Sequence, residues 1–271
     1  MNDALVVSLL SVVPKGLGSR LQGAAGRLGL TRHLIAWYAD TYGVDTSEMV
    51  GTIDDYASLQ DFFVRPLKEG ARPICQDPEA LVSPSDSKAT FFGKVKDDGR
   101  LPEAAGVDFS VTELVGGDER YAGGQFAILY LSPKDYHRVH HPADATVVGW
   151  RYSPGAFWPV FPAAVERIED LFANNERLTI FVEGDFGRIA VVLVAAYGVG
   201  RMTTTHGDII TNTDGVARSE QRSDPVVRGD ELGRFNLGST VILVTEPGAV
   251  EWELEAGQDV RVGQRIARFI G

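Results

Sequence analysis

Gly233-Arg234-Phe235-Asn236-Leu237-Gly238-Ser239-Thr240-Val241 is the stretch on which the reading of this chain turns, with the Gly238-Ser239 bond at its centre. It lies between the charged segment Arg228-Gly229-Asp230-Glu231 and the apolar run Val241-Ile242-Leu243-Val244. The β-branched run after the pair predicts a strand over Thr240–Thr245. Glycine admits strained backbone and leaves its carbonyl uncovered, while the next side chain carries a hydroxyl nucleophile. Attack of Ser239 on the Gly238 carbonyl would turn the peptide into an ester. Elimination at Ser239 would then cut the chain and leave an electrophilic pyruvoyl carbonyl, able to form a Schiff base with an amine. Taken alone, the pair is an ordinary turn feeding a strand, so other residues must decide.

Outward from this stretch, Gln125–Leu131, Ala145–Tyr152, Leu178–Val182 and Arg188–Ala196 are further β-branched or aromatic runs bounded by Gly, Pro or Asp. Glu255–Ile266 alternates around Gly257 and Gly263, which suits tight hairpins. The start of the chain reads differently. Residues 16–44 predict two helical pieces, with Leu17, Leu21 and Leu28 near one face, and Leu34, Ile35, Tyr38 and Tyr42 after Thr31 as a cap; Gly43 stops the second piece. Ser58-Leu59-Gln60-Asp61 has the form of a capping box opening a short helix with Leu59, Phe62 and Phe63 as its apolar face. The expected fold is α+β: a helical, membrane-contacting N-terminal region (residues 1–70) packed on a mostly antiparallel β body (residues 71–271).

At 271 residues with 44% hydrophobic and 23% charged, the chain has the composition of a globular protein with a substantial core. Its single cysteine, Cys75, excludes an internal disulfide and fits a reducing compartment. A net charge of −11 argues against nucleic acid as a partner. The charge is uneven: residues 1–39 hold Lys15, Arg20, Arg27 and Arg32 against Asp3 alone. A basic, apolar start on an acidic body points to an anionic membrane surface, and no stretch reaches the roughly 18 apolar residues that span a bilayer. Ala4–Val13 ends at Pro14, with its cations following it, a poor match to a secretory signal.

Two other segments can carry chemistry. In Asp135-Tyr136-His137-Arg138-Val139-His140-His141, three of the five histidines fall at the end of an apolar strand, and histidine exchanges protons near neutrality. No Cys or Glu stands at ligand spacing, so a metal is not expected. In Leu81-Val82-Ser83-Pro84-Ser85-Asp86, an apolar pair runs into a turn bearing Asp86. Such an aspartate can orient a histidine, as in triads, or make an ordinary Asx turn.

Together these segments resemble the phosphatidylserine decarboxylase family of self-cleaving, pyruvoyl-dependent proenzymes. The resemblance extends through Phe62-Phe63-Val64-Arg65-Pro66-Leu67 with Arg72-Pro73-Ile74, the Ser-Pro-x-Asp turn, the run at 135–140, Leu171-Phe172-Ala173-Asn174-Asn175-Glu176-Arg177, and Leu237-Gly238-Ser239-Thr240. It implies cleavage between Gly238 and Ser239 into a β chain, 1–238, and an α chain, 239–271, held as a heterodimer or a dimer of these. Ser239 becomes the covalent pyruvoyl group, the only cofactor. His140 is implied to activate the serine, Asp86 to orient His140, and His137 to serve the decarboxylation step. The substrate is phosphatidylserine and the location the cytoplasmic side of a bacterial-type inner membrane, peripherally bound.

Three features depart from the family pattern or complicate it. Ser87-Lys88 follows Asp86 where the family turn continues Asp-Gly, which brings Lys88 forward as a partner for Asp86. His141 is a second candidate for the same carboxylate, and Phe161 stands where asparagine is common. Two alternatives remain at this stage: a decarboxylase of another serine phospholipid, and an uncleaved lipid-binding paralogue.

Overall fold

The computed structural model describes residues 28–101, 109–160, 162–165, 167–196, 201–209, 211–236 and 239–270. The first helical piece expected before residue 28, the Gly238 side of the Gly-Ser bond and Phe161 lie outside them.

The body is antiparallel β. Its main sheet has eight strands: β2 (Ser87–Lys94), β3 (Gln125–Leu131), β5 (Ala145–Ser153), β6 (Arg177–Gly184), β7 (Gly187–Ala195), β9 (Arg218–Val226), β11 (Ser239–Thr245) and β13 (Asp259–Val260). Their order is β13-β2-β3-β11-β7-β6-β5-β9. A second sheet sets β14 (Arg265–Phe269) between β1 (Ala80–Val82) and β12 (Val250–Trp252). A third sets β10 (Glu231–Phe235) between β4 (Arg138–His140) and β8 (Met202–Thr204).

The strand after the Gly-Ser pair is a central member of the main sheet. Val241, Ile242, Leu243 and Val244 are fully buried, because both faces of β11 are covered and its two edges pair with β3 and β7. A continuous apolar run is the pattern a strand buried on both faces requires. Gly257 and Gly263 both lie at φ +81° in the left-handed region and make tight turns. These are not the expected hairpins: β13 pairs with β2, and β14 with β1 and β12, so each turn carries the chain from one sheet to another.

Residues 28–67 form a smaller layer with its own apolar cluster of Ile35, Tyr38, Val44, Met49, Phe62 and Phe63. Gly43, at φ 68°, ends the helix Ile35–Tyr42 as expected, and Ser58 caps Leu59–Phe63 by accepting from Asp61 N. Thr31 is not a cap. It lies inside a 3-10 turn, Gly29–Leu34, where its hydroxyl donates to Leu28 O at 2.7 Å and accepts from Leu59 N at 3.1 Å. A tertiary contact has taken the group that capping would have used. The layer is tied to the body by Tyr38 Oη donating to Pro133 O (2.8 Å) and Arg138 Nε donating to Val64 O (2.9 Å). Among the described residues, no helix is long and apolar enough to cross a membrane.

Candidate active site

Strand register gathers the three segments singled out in the sequence. Ser239 heads β11 with Leu131, the last residue of β3, on one side and Ala195, the last of β7, on the other. The chain leaving β3 therefore carries residues 132–137 away from beside Ser239. β2 runs antiparallel to β3 with Lys88 opposite Tyr130, so Asp86, just before β2, lies at the same end of the sheet. β10 approaches along β4, with Arg234 opposite Arg138, and Phe235 N donates to His137 O at 3.1 Å. The strand leading to the Gly-Ser bond is thus laced onto the histidine segment.

His137 is fully buried, its ring 4.0 Å centroid to centroid from Phe63. Its Nδ1–H donates to the Asp135 carbonyl at 2.8 Å; a carbonyl can only accept, so the lone pair sits on Nε2. That Nε2 is buried without a hydrogen-bond partner among the described residues. Burial, reinforced by the nearby Arg65 cation, pushes the imidazole down to about 3, leaving it neutral.

His140 has the same tautomer by the same logic. Its Nδ1–H donates to Gly229 O at 2.7 Å, and Nε2 faces the Tyr136 hydroxyl at 3.2 Å. Burial lowers its proton affinity, opposed by the Gly229 hydrogen bond and the Glu231 carboxylate, with Asp86 adding a smaller effect in the same raising direction. Both histidines therefore keep an unprotonated Nε2 at neutral pH, that of His140 accepting from the Tyr136 hydroxyl.

Asp86 is held differently from the expectation. Its carboxylate takes Arg72 Nε at 2.9 Å and 3.0 Å and the Val262 amide at 2.9 Å. No hydrogen bond joins it to His140 among the described residues; the two are linked through backbone, His140 N donating to Pro84 O at 2.8 Å. Arg72, quoted in the sequence only as part of a motif, supplies the counterion. A fixed guanidinium outcompetes a neutral imidazole for a carboxylate. The other expected partners of Asp86 also lie elsewhere. Lys88 Nζ is 3.4 Å from Asp259, its cross-strand partner on β13. His141 Nε2 lies 2.9 Å from His206 Nε2, whose other nitrogen reaches Asp224 at 3.2 Å.

Around this centre the Leu171–Arg177 segment is a clamp. Asn175 accepts from Trp158 N and donates to Trp158 O and Ala195 O, each at 2.9 Å, fixing the end of β7 next to Ser239. Arg177 donates to the carbonyls of Leu114, Ala173, Asn175 and Glu113. No cluster of His, Cys, Asp and Glu suited to a metal occurs among the described residues.

The architecture defines a β-sheet protein with a serine at the head of a central strand, opposite the end of the neighbouring strand from which the segment bearing His137 and His140 departs. The comparisons with known proteins narrow this class. The family profile for phosphatidylserine decarboxylase matches residues 59–268. A phosphatidylserine decarboxylase proenzyme of Anaeromyxobacter sp. (strain K) is 41% identical, the alignment covering 98% of this chain and 99% of that one. Those of Ectopseudomonas mendocina (strain ymp) and Aliivibrio fischeri (strain ATCC 700601 / ES114) are 42% identical over 98% of both chains and 38% identical over 100% of both. The chain belongs to the phosphatidylserine decarboxylase family.

Proposed function

We propose that this chain is a proenzyme that cleaves itself between Gly238 and Ser239 and then decarboxylates phosphatidylserine to phosphatidylethanolamine. The observation that carries the reading is the convergence of β11, the 132–140 segment and Asp86 at one end of the main sheet in a member of this family. In maturation, His140 Nε2 takes the Ser239 hydroxyl proton as the oxygen attacks the Gly238 carbonyl. The carboxylates of Glu231 and Asp86 stabilise through space the imidazolium that forms. The amide becomes an ester; elimination releases the Gly238 carboxylate, and hydrolysis with loss of ammonia leaves the pyruvoyl group on residue 239.

The residues at this end of the sheet fit such a group. It would sit at the head of a buried strand beside a dry imidazole whose Nε2 is unpartnered. When present, the pyruvoyl group supplies an electrophilic carbonyl that draws electrons from the Cα–carboxylate bond. His137, held neutral, packs against Phe63, and its Nε2 must first take up a proton before it can return one to the carbon left as carbon dioxide departs. The chains 1–238 and 239–271 remain one α/β heterodimer.

The lipid is reached from the cytoplasmic face of the inner membrane. Leu30 (78% exposed), Leu34 and Trp37 (59% exposed) stand at helical spacing on the outer side of the N-terminal layer, with Arg32 and His33 between them. This apolar strip beside the Arg32 cation suits peripheral contact with anionic lipid.

The decisive experiment combines intact mass under denaturing conditions with an assay of phosphatidylethanolamine formation. Two chains, the smaller starting at a pyruvoyl-converted residue 239, and decarboxylation of phosphatidylserine are expected. Ser239→Ala should give one inactive chain; two chains from that variant would overturn the reading.

A further inference from the structure

Arg65 is 3% exposed, and its guanidinium is only partly used. Nη2 donates to Lys134 O at 3.0 Å and reaches Asp135 O at 3.5 Å. Nε and Nη1 are buried without any hydrogen-bond partner. A buried cation normally has a counterion, and Arg65 has none within ion-pairing distance among the described residues. The acids that share its surroundings are committed. Asp86 and Glu48 are paired with Arg72, and Asp135 accepts from Ser132 N and Oγ at 2.7 Å each. Burial depresses the Arg65 pKa from its ordinary value, as expected of a charge awaiting an anion.

The location is specific. Arg65 borders a cavity of about 210 Å³ whose other cations are Arg72, Lys134 and Arg261 and whose carboxylates are Asp45, Glu48, Asp86, Asp135 and Asp259. Asp45 is hydrogen-bonded to Ser47, and Asp259 is paired with Lys88. It also shares the Asp135 carbonyl with His137 Nδ1, so the unpaired cation lies two hydrogen bonds from the dry imidazole. Its Cζ rests 5.2 Å from the Phe62 ring centroid, which holds the group in place without neutralising it.

We infer that Arg65 anchors the phosphodiester of the substrate head group in this cavity, with Lys134 at its mouth. The inference rests on the proposed decarboxylation. Phosphatidylserine carries two anions, and the chemistry selects between them. A guanidinium on the carboxylate would stabilise the negative charge in the ground state, where decarboxylation must disperse it, and so raise the barrier. The phosphodiester is unchanged by the reaction, so binding it lowers substrate, transition state and product alike.

That difference is measurable with Arg65→Met and Arg65→Lys in the full chain, using phosphatidylserine in detergent micelles and three soluble competitors. Glycerophosphoethanolamine has the phosphodiester but no carboxylate, L-serine has the carboxylate but no phosphate, and inorganic phosphate is a free anion. For Arg65→Met, KM and the glycerophosphoethanolamine inhibition constant should both rise about 10- to 100-fold, the range for a lost charge-assisted hydrogen bond. Its kcat should change less than about threefold, and serine inhibition should not move. Inorganic phosphate should compete more weakly than the diester. Arg65→Lys should fall between wild type and Arg65→Met. An unchanged glycerophosphoethanolamine constant, or a loss confined to kcat, overturns the assignment.

Should Arg65→Met fail to fold, Arg65→Lys and the wild type decide. The diester should raise the wild-type melting temperature, as any ligand of the folded state does, and do so less in Arg65→Lys; equal or absent shifts overturn the inference. If the wild type releases no carbon dioxide from phosphatidylserine, the decarboxylase reading fails. Calorimetric titration of wild type and Arg65→Lys with glycerophosphoethanolamine then still tests the phosphodiester site.

Discussion

The Asp86 carboxylate is clasped by the Arg72 guanidinium, whose Nε lies 2.9 Å from one oxygen and 3.0 Å from the other, and both side chains are about nine-tenths buried. Arg72 also reaches Glu48 at 2.9 Å, joining the N-terminal layer to the turn before β2. Removing Arg72 strands a buried carboxylate, whereas Asp86→Asn leaves Arg72 its second partner. Arg72→Met should therefore cost about 3 kcal/mol of stability, the usual loss for a broken buried pair, and Asp86→Asn only about 1–2 kcal/mol. Urea unfolding of both variants in a Ser239→Ala background checks this order. Intact mass in the Ser239 background separates a second role: if the Asp86 charge assists His140, Asp86→Asn should slow cleavage more than its smaller loss of stability accounts for.

How far the sequence carried this picture follows from burial. The β11 run, the turns at Gly257 and Gly263 and the Ser58 cap were legible because each rests on a local rule: a continuous apolar run, a left-handed glycine, a side chain bonding three residues on. That the two turns join different sheets instead of closing hairpins is a long-range choice. β9 was not. Arg218–Val226 is exposed along most of its length and contains Pro225, which an edge strand tolerates without any alternation of apolar residues. Within the site, Ser239, His137, His140 and Asp86 stood out by residue type, but their partners did not. Arg72 to Asp86, Tyr136 to His140 and His206 to His141 are choices made by tertiary packing. Arg65 was visible only as a letter in Phe62-Phe63-Val64-Arg65, because a missing counterion is a property of the folded surroundings.

Cleavage at Ser239 should not release the smaller chain. β11 pairs through every residue from Ser239 to Thr245 with both β3 and β7, and β12, β13 and β14 pair with one another or with β1 and β2. Four fully buried aliphatic side chains in β11 contribute about 1.5–3 kcal/mol each. Val262 N also holds Asp86 across the two chains. Size-exclusion chromatography of matured protein should show both chains in one peak, separating only in denaturant. A free small chain under native conditions would contradict this topology.

Acid should destabilise the fold before the carboxylates titrate. His137 and His141 are both pushed by burial down to about 3, while their unfolded values lie near 6.5. Between these values the unfolded chain binds the extra protons, so stability is complete above about 6.5 and falls as the pH drops toward 3. Each imidazole should cost about 1 kcal/mol between pH 7 and 5.5, and His140, also shifted downward by burial, acts in the same direction. Replacing His141, which lies outside the proposed chemistry, by Gln should remove its share. Urea midpoints of wild type and His141→Gln at the two pH values test this; parallel losses in the two proteins would show that His141 is not a proton acceptor in unfolding.

The outer strip of the N-terminal layer should govern lipid contact without touching the chemistry. Leu30, Leu34 and Trp37 are exposed, whereas Ile35, Tyr38 and Ala39 on the opposite side are buried in the layer's own cluster. Serine at Leu30 and Trp37 therefore removes apolar area from the surface while leaving that cluster packed. At about 25 cal/mol per Å² of apolar area, losing two large side chains from a lipid contact weakens binding by a few kcal/mol. Sedimentation with vesicles containing phosphatidylserine should show at least a tenfold loss for Leu30→Ser with Trp37→Ser, while turnover of phosphatidylserine dispersed in detergent stays within about twofold of wild type. A variant that still sediments like the parent would move membrane contact away from this strip, to residues before Leu28 or to another face.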